Sequence, residues 1–351
     1  MTGSLLNLRD NGKKILVYAS GVAAAFIAGG ILLSIFGINP AATYAAILSK
    51  AFGSTTGLRQ TLITSAPILL AAAGIELAKR AGVMNLGAEG QIIAGAVGAQ
   101  LAALACGDLP PVLAVVIVLL SGIAAGMLWI LIPAILKVNF GVNEIVVLIM
   151  TNQIASYILG WLVRGPLKDP QSSNNQGALI PEAAWLPQLP LPVKLHAGII
   201  IAVAVMLLTY WIYNRTTLGY RLKVVGKSKR SAEYAGISVK KVMFGAMAVS
   251  GALAGLAGAI QVAGVHHRVT GSISNGFGWT GLMVAMLVGR NPVLLLIVTL
   301  LYSALSAGNL IIQVTDKVPA QLADIIQAII VLFVVGAQSI YDLAEKRRKH
   351  G

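Results

Sequence analysis

Long apolar runs recur along almost the whole of this 351-residue chain, and most of them approach the length that crosses a bilayer. An α-helix needs about 20 mostly apolar residues to span the hydrocarbon core. Only 11% of the residues are charged, whereas a typical soluble domain has about 25%. So few charged side chains could not cover a surface exposed to water. The sequence therefore predicts an all-α polytopic membrane protein, because helices satisfy their own backbone hydrogen bonds in lipid.

The apolar runs predict about ten membrane segments within one transmembrane domain over residues 1–351. The first follows Lys13 and Lys14, as in a signal peptide, but it is longer than a signal-peptide core, so we interpret it as an uncleaved span. Segment 277–289 is short, which predicts a broken or tilted helix, or a helix that extends back through Asn275. The predicted segments are 15–36, 60–78, 88–106, 111–133, 143–163, 195–213, 242–265, 277–289, 292–313 and 319–337.

The basic residues predict the orientation. Residues 215–241 contain eight cations and a single acid, Glu233. If the N-terminus is inside and the spans alternate, 19 of the 26 cations fall on the cytoplasmic side, where basic residues concentrate. We therefore expect both termini and loop 215–241 in the cytoplasm, and the proline-rich loop 164–194 outside, irregular and exposed. The same bias accounts for the net charge of +14 without nucleic-acid binding.

A polar, glycine-containing stretch interrupts two apolar runs at residues 81–91. Glu89 falls in the first turn of the next predicted helix, where a carboxylate complements the positive helix end. The alternative is that Asn85, Glu89 and Gln91 shape a polar gate or hinge. The residues alone leave both interpretations open.

A second polar group lies in the predicted span 143–163. Asn143 and Glu144 open it, and Thr151 and Asn152 lie within it. Glu144 and Thr151 are two helical turns apart and share a face, with Asn152 close to that face. Polar side chains at membrane depth face the helix bundle or a wet cavity. These residues are therefore candidates for interhelical hydrogen bonds or for the solute path.

Small residues recur at four-residue spacing in the predicted span 242–265. Gly251 and Gly255 form one such pair, and Ala254 and Gly258 form another. Small side chains let helix backbones approach closely in membranes. We therefore predict that Gly251, Gly255 and Gly258 serve helix packing.

Two other patterns imitate functional sites. Residues 219–228 resemble a phosphate-binding loop, but six residues separate Gly219 from Gly226 where the Walker motif requires four. The adjacent His266 and His267 cannot alone supply the ligands of a zinc site. The pattern predicts no metal, no bound cofactor and no catalytic group on this chain.

The basic loop 215–241 contains a short helix-and-glycine unit at residues 231–236. Gly236 is suited to end a helix in the left-handed conformation, and Ser238 is suited to start the next helix. Glu233 is a candidate either for a charge-assisted contact with a partner or for a local salt bridge. A membrane protein that places such a unit in the cytoplasm is expected to offer it to a soluble partner.

These motifs together resemble a known family. Residues 82–91 are similar to the Asn-Ile-Gly-x-Glu-Gly-Gln signature of bacterial ABC importer permeases of the branched-chain amino acid, ribose and nucleoside superfamily. The resemblance covers residues 15–340 and looks closest to the nucleoside branch. It is carried further by residues 143–152, 217–226, 235–237, 250–258 and 276–278.

The resemblance implies a permease subunit in a bacterial cell membrane with a type II-like ABC importer fold. It implies three partners: a second, non-identical permease, a cytoplasmic ATPase that binds ATP and Mg²⁺, and an extracytoplasmic solute-binding lipoprotein. It implies nucleosides as substrates, with sugars as the alternative. The coupling contact to the ATPase would involve Ser231, Ala232, Glu233, Tyr234, Ala235, Gly236 and Ile237.

An ion-coupled secondary transporter is the competing class. Ion coupling normally requires acids or paired charges at membrane depth. The acids near the predicted membrane interior, among them Glu89 and Glu144, lie close to span ends. The sequence therefore favours the ATP-driven importer.

Overall fold

The computed structural model describes residues 23–315 except 25, 26, 32, 36, 108, 191, 192, 194, 289 and 290, together with residues 325 and 329. Apart from three isolated bridges and short turns, the regular structure in these residues is helical. The helices are α1 Ile27–Ile35, α2 Pro40–Phe52, α3 Thr55–Arg80, α4 Ala88–Ala105, α5 Pro111–Phe140, α6 Glu144–Arg164, α7 Gly198–Arg215, α8 Thr217–Lys227, α9 Lys229–Tyr234, α10 Val239–Gln261, α11 Phe277–Leu287 and α12 Pro292–Thr315.

Six helices in the described part of the chain are long and apolar enough to cross a membrane. They are α3, α4, α5, α6, α7 and α10, the last extended by a π-helical turn to His266. All six coincide with predicted segments. The predicted span 319–337, the start of span 15–36 and both basic termini lie outside the described residues. The all-α membrane fold is confirmed.

The chain divides into two compact units, residues 1–61 with 304–351 and residues 62–303. In the first unit, α1 and α2 meet at a bend of 115°. Asn39 starts α2, and its side chain accepts a hydrogen bond from the Ala42 amide at 3.2 Å. Residues 37–58, which connect the first two predicted spans, thus contain a 13-residue helix.

The core of the second unit is a close packing of α4, α5 and α10. A side chain at Gly255 would meet the backbone of Gly122 and Gly126 on α5. One at Gly258 would meet the backbone of α4 at Ile92. These residues therefore bring three helix backbones into direct contact, which the small-residue pattern anticipates.

Loop 164–194 is irregular, as predicted. The prediction that the loop is exposed is wrong for the part that carries its apolar side chains. Residues 171–176 lie mostly at the surface, whereas Ile180, Ala184 and Leu186 are buried. The Leu186 amide donates to the carbonyl of Ala263 on the π-helical turn at 2.9 Å. Apolar side chains between the prolines therefore hold the loop against the helices, because leaving them in water would be unfavourable.

Helix α11 is the short segment expected at 277–289. Its 11 residues extend about 16 Å, roughly half of a ~30 Å bilayer core. The helix does not continue back through Asn275, because Gly276 takes a φ of +73° and begins it. The left-handed backbone at Gly276 therefore fixes the start of α11.

Candidate functional site

The connection between α3 and α4 is fastened by a pair of buried amides. Asn85 Nδ2 donates to Gln91 Oε1 at 2.8 Å, and Gln91 Nε2 donates to Asn85 Oδ1 at 3.0 Å. Asn85 Nδ2 also lies 2.8 Å from the hydroxyl oxygen of Ser250, to which it donates. Both amide side chains are fully buried. Because Ser250 belongs to α10, the pair attaches this connection to the glycine-packed core.

Asn152 on α6 clamps the same connection from another side. Its Oδ1 accepts from the Gly90 amide at 2.8 Å, and its Nδ2 donates to the Leu86 carbonyl at 2.8 Å. The side chain is 3% exposed. Such a two-sided amide contact is valuable in a membrane protein, because an unsatisfied backbone group there costs several kcal/mol.

Glu89 joins two helix ends. It lies in the first turn of α4, as predicted, and its carboxylate reaches the start of α11. Oε1 accepts from the Gly276 amide at 3.1 Å, and Oε2 accepts from the Gly278 amide at 2.8 Å. Gly278 lies directly against the Glu89 backbone, where a side chain would not fit. A buried carboxylate therefore supplies the acceptors that the free amides of a helix start require.

The remaining residues predicted in the path lie apart from this cluster. Asn143 caps α6 by accepting from the Ile145 amide at 3.0 Å. Glu144 forms an ion pair with Lys137 on α5. The Thr151 hydroxyl donates to the Leu148 carbonyl within its own helix at 2.9 Å. The structure thus brings Asn152 to the connection that holds Asn85, Glu89 and Gln91, and leaves the other three on partners outside it.

Helix α9 is a short projection in the basic loop. It begins two residues before the predicted unit, because the Ser228 hydroxyl caps it by accepting from the Ser231 amide at 3.2 Å. Gly236 has a φ of +72°. Its amide donates to the Glu233 carbonyl at 3.0 Å, and the Ile237 amide donates to the Ala232 carbonyl at 2.9 Å. This pair of bonds is a Schellman motif, which ends the helix at a defined residue.

One face of α9 is anchored and the other is free. Ala232 is fully buried in a cluster with Leu77, Leu222 and Met243, and Ile237 packs against that cluster. Tyr234 is 80% exposed, and Glu233 is exposed and forms no ion pair with the described residues. A helix that is anchored on one face and exposed on the other can transmit the movement of a bound partner to the spans that it packs against.

Residues 217–227, read as part of a loop, form the amphipathic helix α8. Thr216 caps it by accepting from the Gly219 amide at 3.3 Å. Leu222 and Val225 are buried. The spacing of Leu218, Leu222 and Val225 is typical of a helix and could have identified it. Because both glycines of the apparent phosphate loop belong to α8, the backbone there does not form an anion-binding turn.

A clamp on the predicted outer side was missed altogether. Gln100 on α4 donates to the Ala178 carbonyl at 2.6 Å and accepts from the Val269 amide at 3.0 Å. Nearby, the rings of Trp185 and His267 stack with their centres 3.9 Å apart, and burial lowers the pKa of His267. The histidines belong to no group of three metal-ligating residues in the described chain. The signal for the clamp was the polar Gln100 side chain within the apolar predicted span 88–106.

These features define a class: a polytopic membrane protein of six or more spans, with a hydrogen-bonded junction at the starts of two helices and an anchored surface helix. The chain belongs to the family described as the branched-chain amino acid transport system permease component, whose sequence model matches residues 57–335. It is therefore the permease subunit of an ABC transporter.

Three relatives share most of their length with this chain. It is 33% identical to the guanosine ABC transporter permease protein NupP of Bacillus subtilis, over 96% of this chain and 97% of the relative. It is 31% identical to the nucleoside permease protein NupB of Lactococcus lactis, over 93% and 92%. It is also 31% identical to the glucose permease protein TsgB13 of Haloferax volcanii, over 90% and 86%. No solved structure matches the chain.

Proposed function

We propose that this permease imports nucleosides, driven by ATP hydrolysis on a separate subunit. The observation that carries the substrate is the similarity to a guanosine permease along 96% of the chain. Sugar import is the second candidate, favoured by the similarity to a glucose permease. The buried polar groups of the junction are mainly neutral amides, which suits a neutral polar solute of either kind.

The junction of α4, α6, α10 and α11 is proposed as the gate. Asn85, Glu89, Gln91 and Asn152 fasten the starts of α4 and α11 to one another and to the continuous helices α6 and α10. Contacts between packed helices can rearrange when the helices shift relative to one another. Asn143 and Thr151, which bond within α6, and Glu144, which pairs with Lys137 on α5, remain candidates for the path.

Coupling to ATP hydrolysis is proposed at α9. Its exposed face is offered to a cytoplasmic ATPase, and its buried face rests on α3, α8 and α10 through the Ala232 cluster. A second permease subunit and an extracytoplasmic solute-binding lipoprotein would complete the importer. The concentration of basic residues supports cytoplasmic termini and a location in the bacterial cell membrane.

The substrate can be tested by deleting the gene and measuring uptake of radiolabelled guanosine and glucose by whole cells. Nucleoside import predicts that guanosine uptake falls and glucose uptake is unchanged. Restoring the gene on a plasmid should restore guanosine uptake. Loss of glucose uptake with intact guanosine uptake would overturn the nucleoside proposal and favour the sugar alternative.

A further inference from the structure

A groove lined by apolar side chains opens between α7, α8 and α10. Its volume is about 370 Å³. The hydroxyl of Thr209 in its wall donates to the Met206 carbonyl at 2.7 Å, so the wall presents no unsatisfied donor there. The other uncharged residues that line the groove are Leu77, Ile212, Leu218, Leu222, Val242, Gly245, Ala246 and Val249.

The groove is partly open, and exposed apolar residues lie at its edges. A side-chain carbon placed on Gly245 would have no neighbour within 4 Å. Leu218 is 59% exposed and Val249 is 43% exposed at its edges. On α7, Leu208 and Trp211 carry the exposed apolar surface along the span. A molecule in the bilayer could therefore enter the groove without crossing water.

Two cations stand in the wall of this apolar groove. Arg221 on α8 and Lys241 at the start of α10 line it, and no acid is among its described lining residues. Neither cation forms an ion pair with the described residues. Basic groups beside a membrane surface attract anionic lipids, and basic pockets between spans bind their head groups.

We propose that this groove binds one anionic phospholipid, with an acyl chain along the apolar wall and the phosphate on Arg221 and Lys241. The apolar wall of the groove suits an acyl chain, and the two cations suit the phosphate of the head group. A protein segment is a less suitable occupant, because binding it would require neither an opening to the bilayer nor two cations beside the apolar wall. Because α8 leads directly into α9, a bound lipid would also stabilise the base of that projection.

Native mass spectrometry of the complete purified transporter tests this proposal, with phosphatidylglycerol and phosphatidylcholine added in equal amounts. The wild type should retain one phosphatidylglycerol per permease in preference to phosphatidylcholine. Each cation is expected to contribute about a fivefold gain in affinity. The double variant Arg221→Gln, Lys241→Gln should therefore retain phosphatidylglycerol about 25-fold more weakly.

Steric variants distinguish the groove from general attraction to the membrane surface. Gly245→Leu should displace the lipid without removing a charge. Gly160→Leu is the matched control, because Gly160 lies on another span and a side-chain carbon there also has no neighbour within 4 Å. It should retain the lipid.

Equal retention by the wild type, Gly245→Leu and the double charge variant would overturn the proposal. So would release of the ATPase from the Gly245→Leu complex with lipid binding intact, which would make the groove a protein contact. Loss of phosphatidylglycerol on addition of inorganic phosphate alone, with no effect from Gly245→Leu, would show a simple anion site and would equally overturn it.

Discussion

Removal of the Glu89 carboxylate should destabilise the junction of α4 and α11. In Glu89→Ala, the amides of Gly276 and Gly278 lose their acceptors, which lie at 3.1 and 2.8 Å. An unsatisfied buried donor costs about 1–3 kcal/mol. The two together cost about 2–6 kcal/mol, and relief of burying a charge offsets part of this. We therefore expect a net loss of about 2–3 kcal/mol.

The assay is thermal unfolding of the purified permease in detergent. A loss of that size predicts a Tm lower by about 4–12 °C, at about 2–4 °C per kcal/mol. Glu89→Gln keeps one strong acceptor and should fall between Glu89→Ala and the wild type. Glu233→Ala is the control, because it removes an exposed glutamate that forms no ion pair with the described residues and should leave the Tm nearly unchanged. A Glu89→Ala Tm within the range of this control would refute the role of Glu89 as a cap for α11.

Three further predictions concern coupling, orientation and packing. Gly236→Val forces a branched residue into a left-handed conformation at a cost of about 1–2 kcal/mol, so transport and solute-stimulated ATP hydrolysis should fall in proteoliposomes at normal permease levels; wild-type rates would contradict this. In a Cys106→Ser background, an impermeant thiol reagent on intact cells should label a cysteine at Ser173 and not one at Ser228, and the reverse pattern would invert the topology. Gly255→Leu places a side chain into the α5 backbone, so the yield of monodisperse protein in size-exclusion chromatography should drop sharply; an unchanged yield would show that α5 and α10 can separate freely.

Most of the fold was predictable because a bilayer imposes a length and a composition on each helix. The segments at 88–106 and 143–163 match α4 and α6 within two residues at each end. The glycine spacing also indicated the α10 face that packs against its neighbours. These features are local in sequence, so periodicity and composition record them.

The partners of the polar side chains were not predictable in the same way. Glu89 reaches amides 187 and 189 residues away, and Asn85 reaches Ser250 across 165 residues. No local pattern specifies which distant helix a buried polar group will contact. The sequence could indicate that these groups require partners at membrane depth. Only the three-dimensional arrangement shows that the partner of Glu89 is the start of α11.

The partial burial of loop 164–194 was missed for a related reason. Prolines and polar residues correctly predicted irregular backbone in residues 164–194. They concealed Ile180 and Leu186, which are buried against the helices. The clamp from Gln100 that holds this loop spans 78 residues to Ala178. Irregular backbone and exposure are separate properties, and composition addresses only the first.

Contact between α9 and the ATPase is the central claim, and site-directed crosslinking tests it most directly. A cysteine at Tyr234, on the exposed face of α9, should crosslink to the ATPase in the assembled transporter after Cys106→Ser removes the native thiol. Adding Glu233→Lys should reduce the yield, because it alters the contact beside the probe. A cysteine at Leu179, which is 50% exposed in loop 164–194 and is predicted to lie outside, should give no ATPase product. A product at position 179, or none at position 234 in an active complex, would contradict coupling through α9.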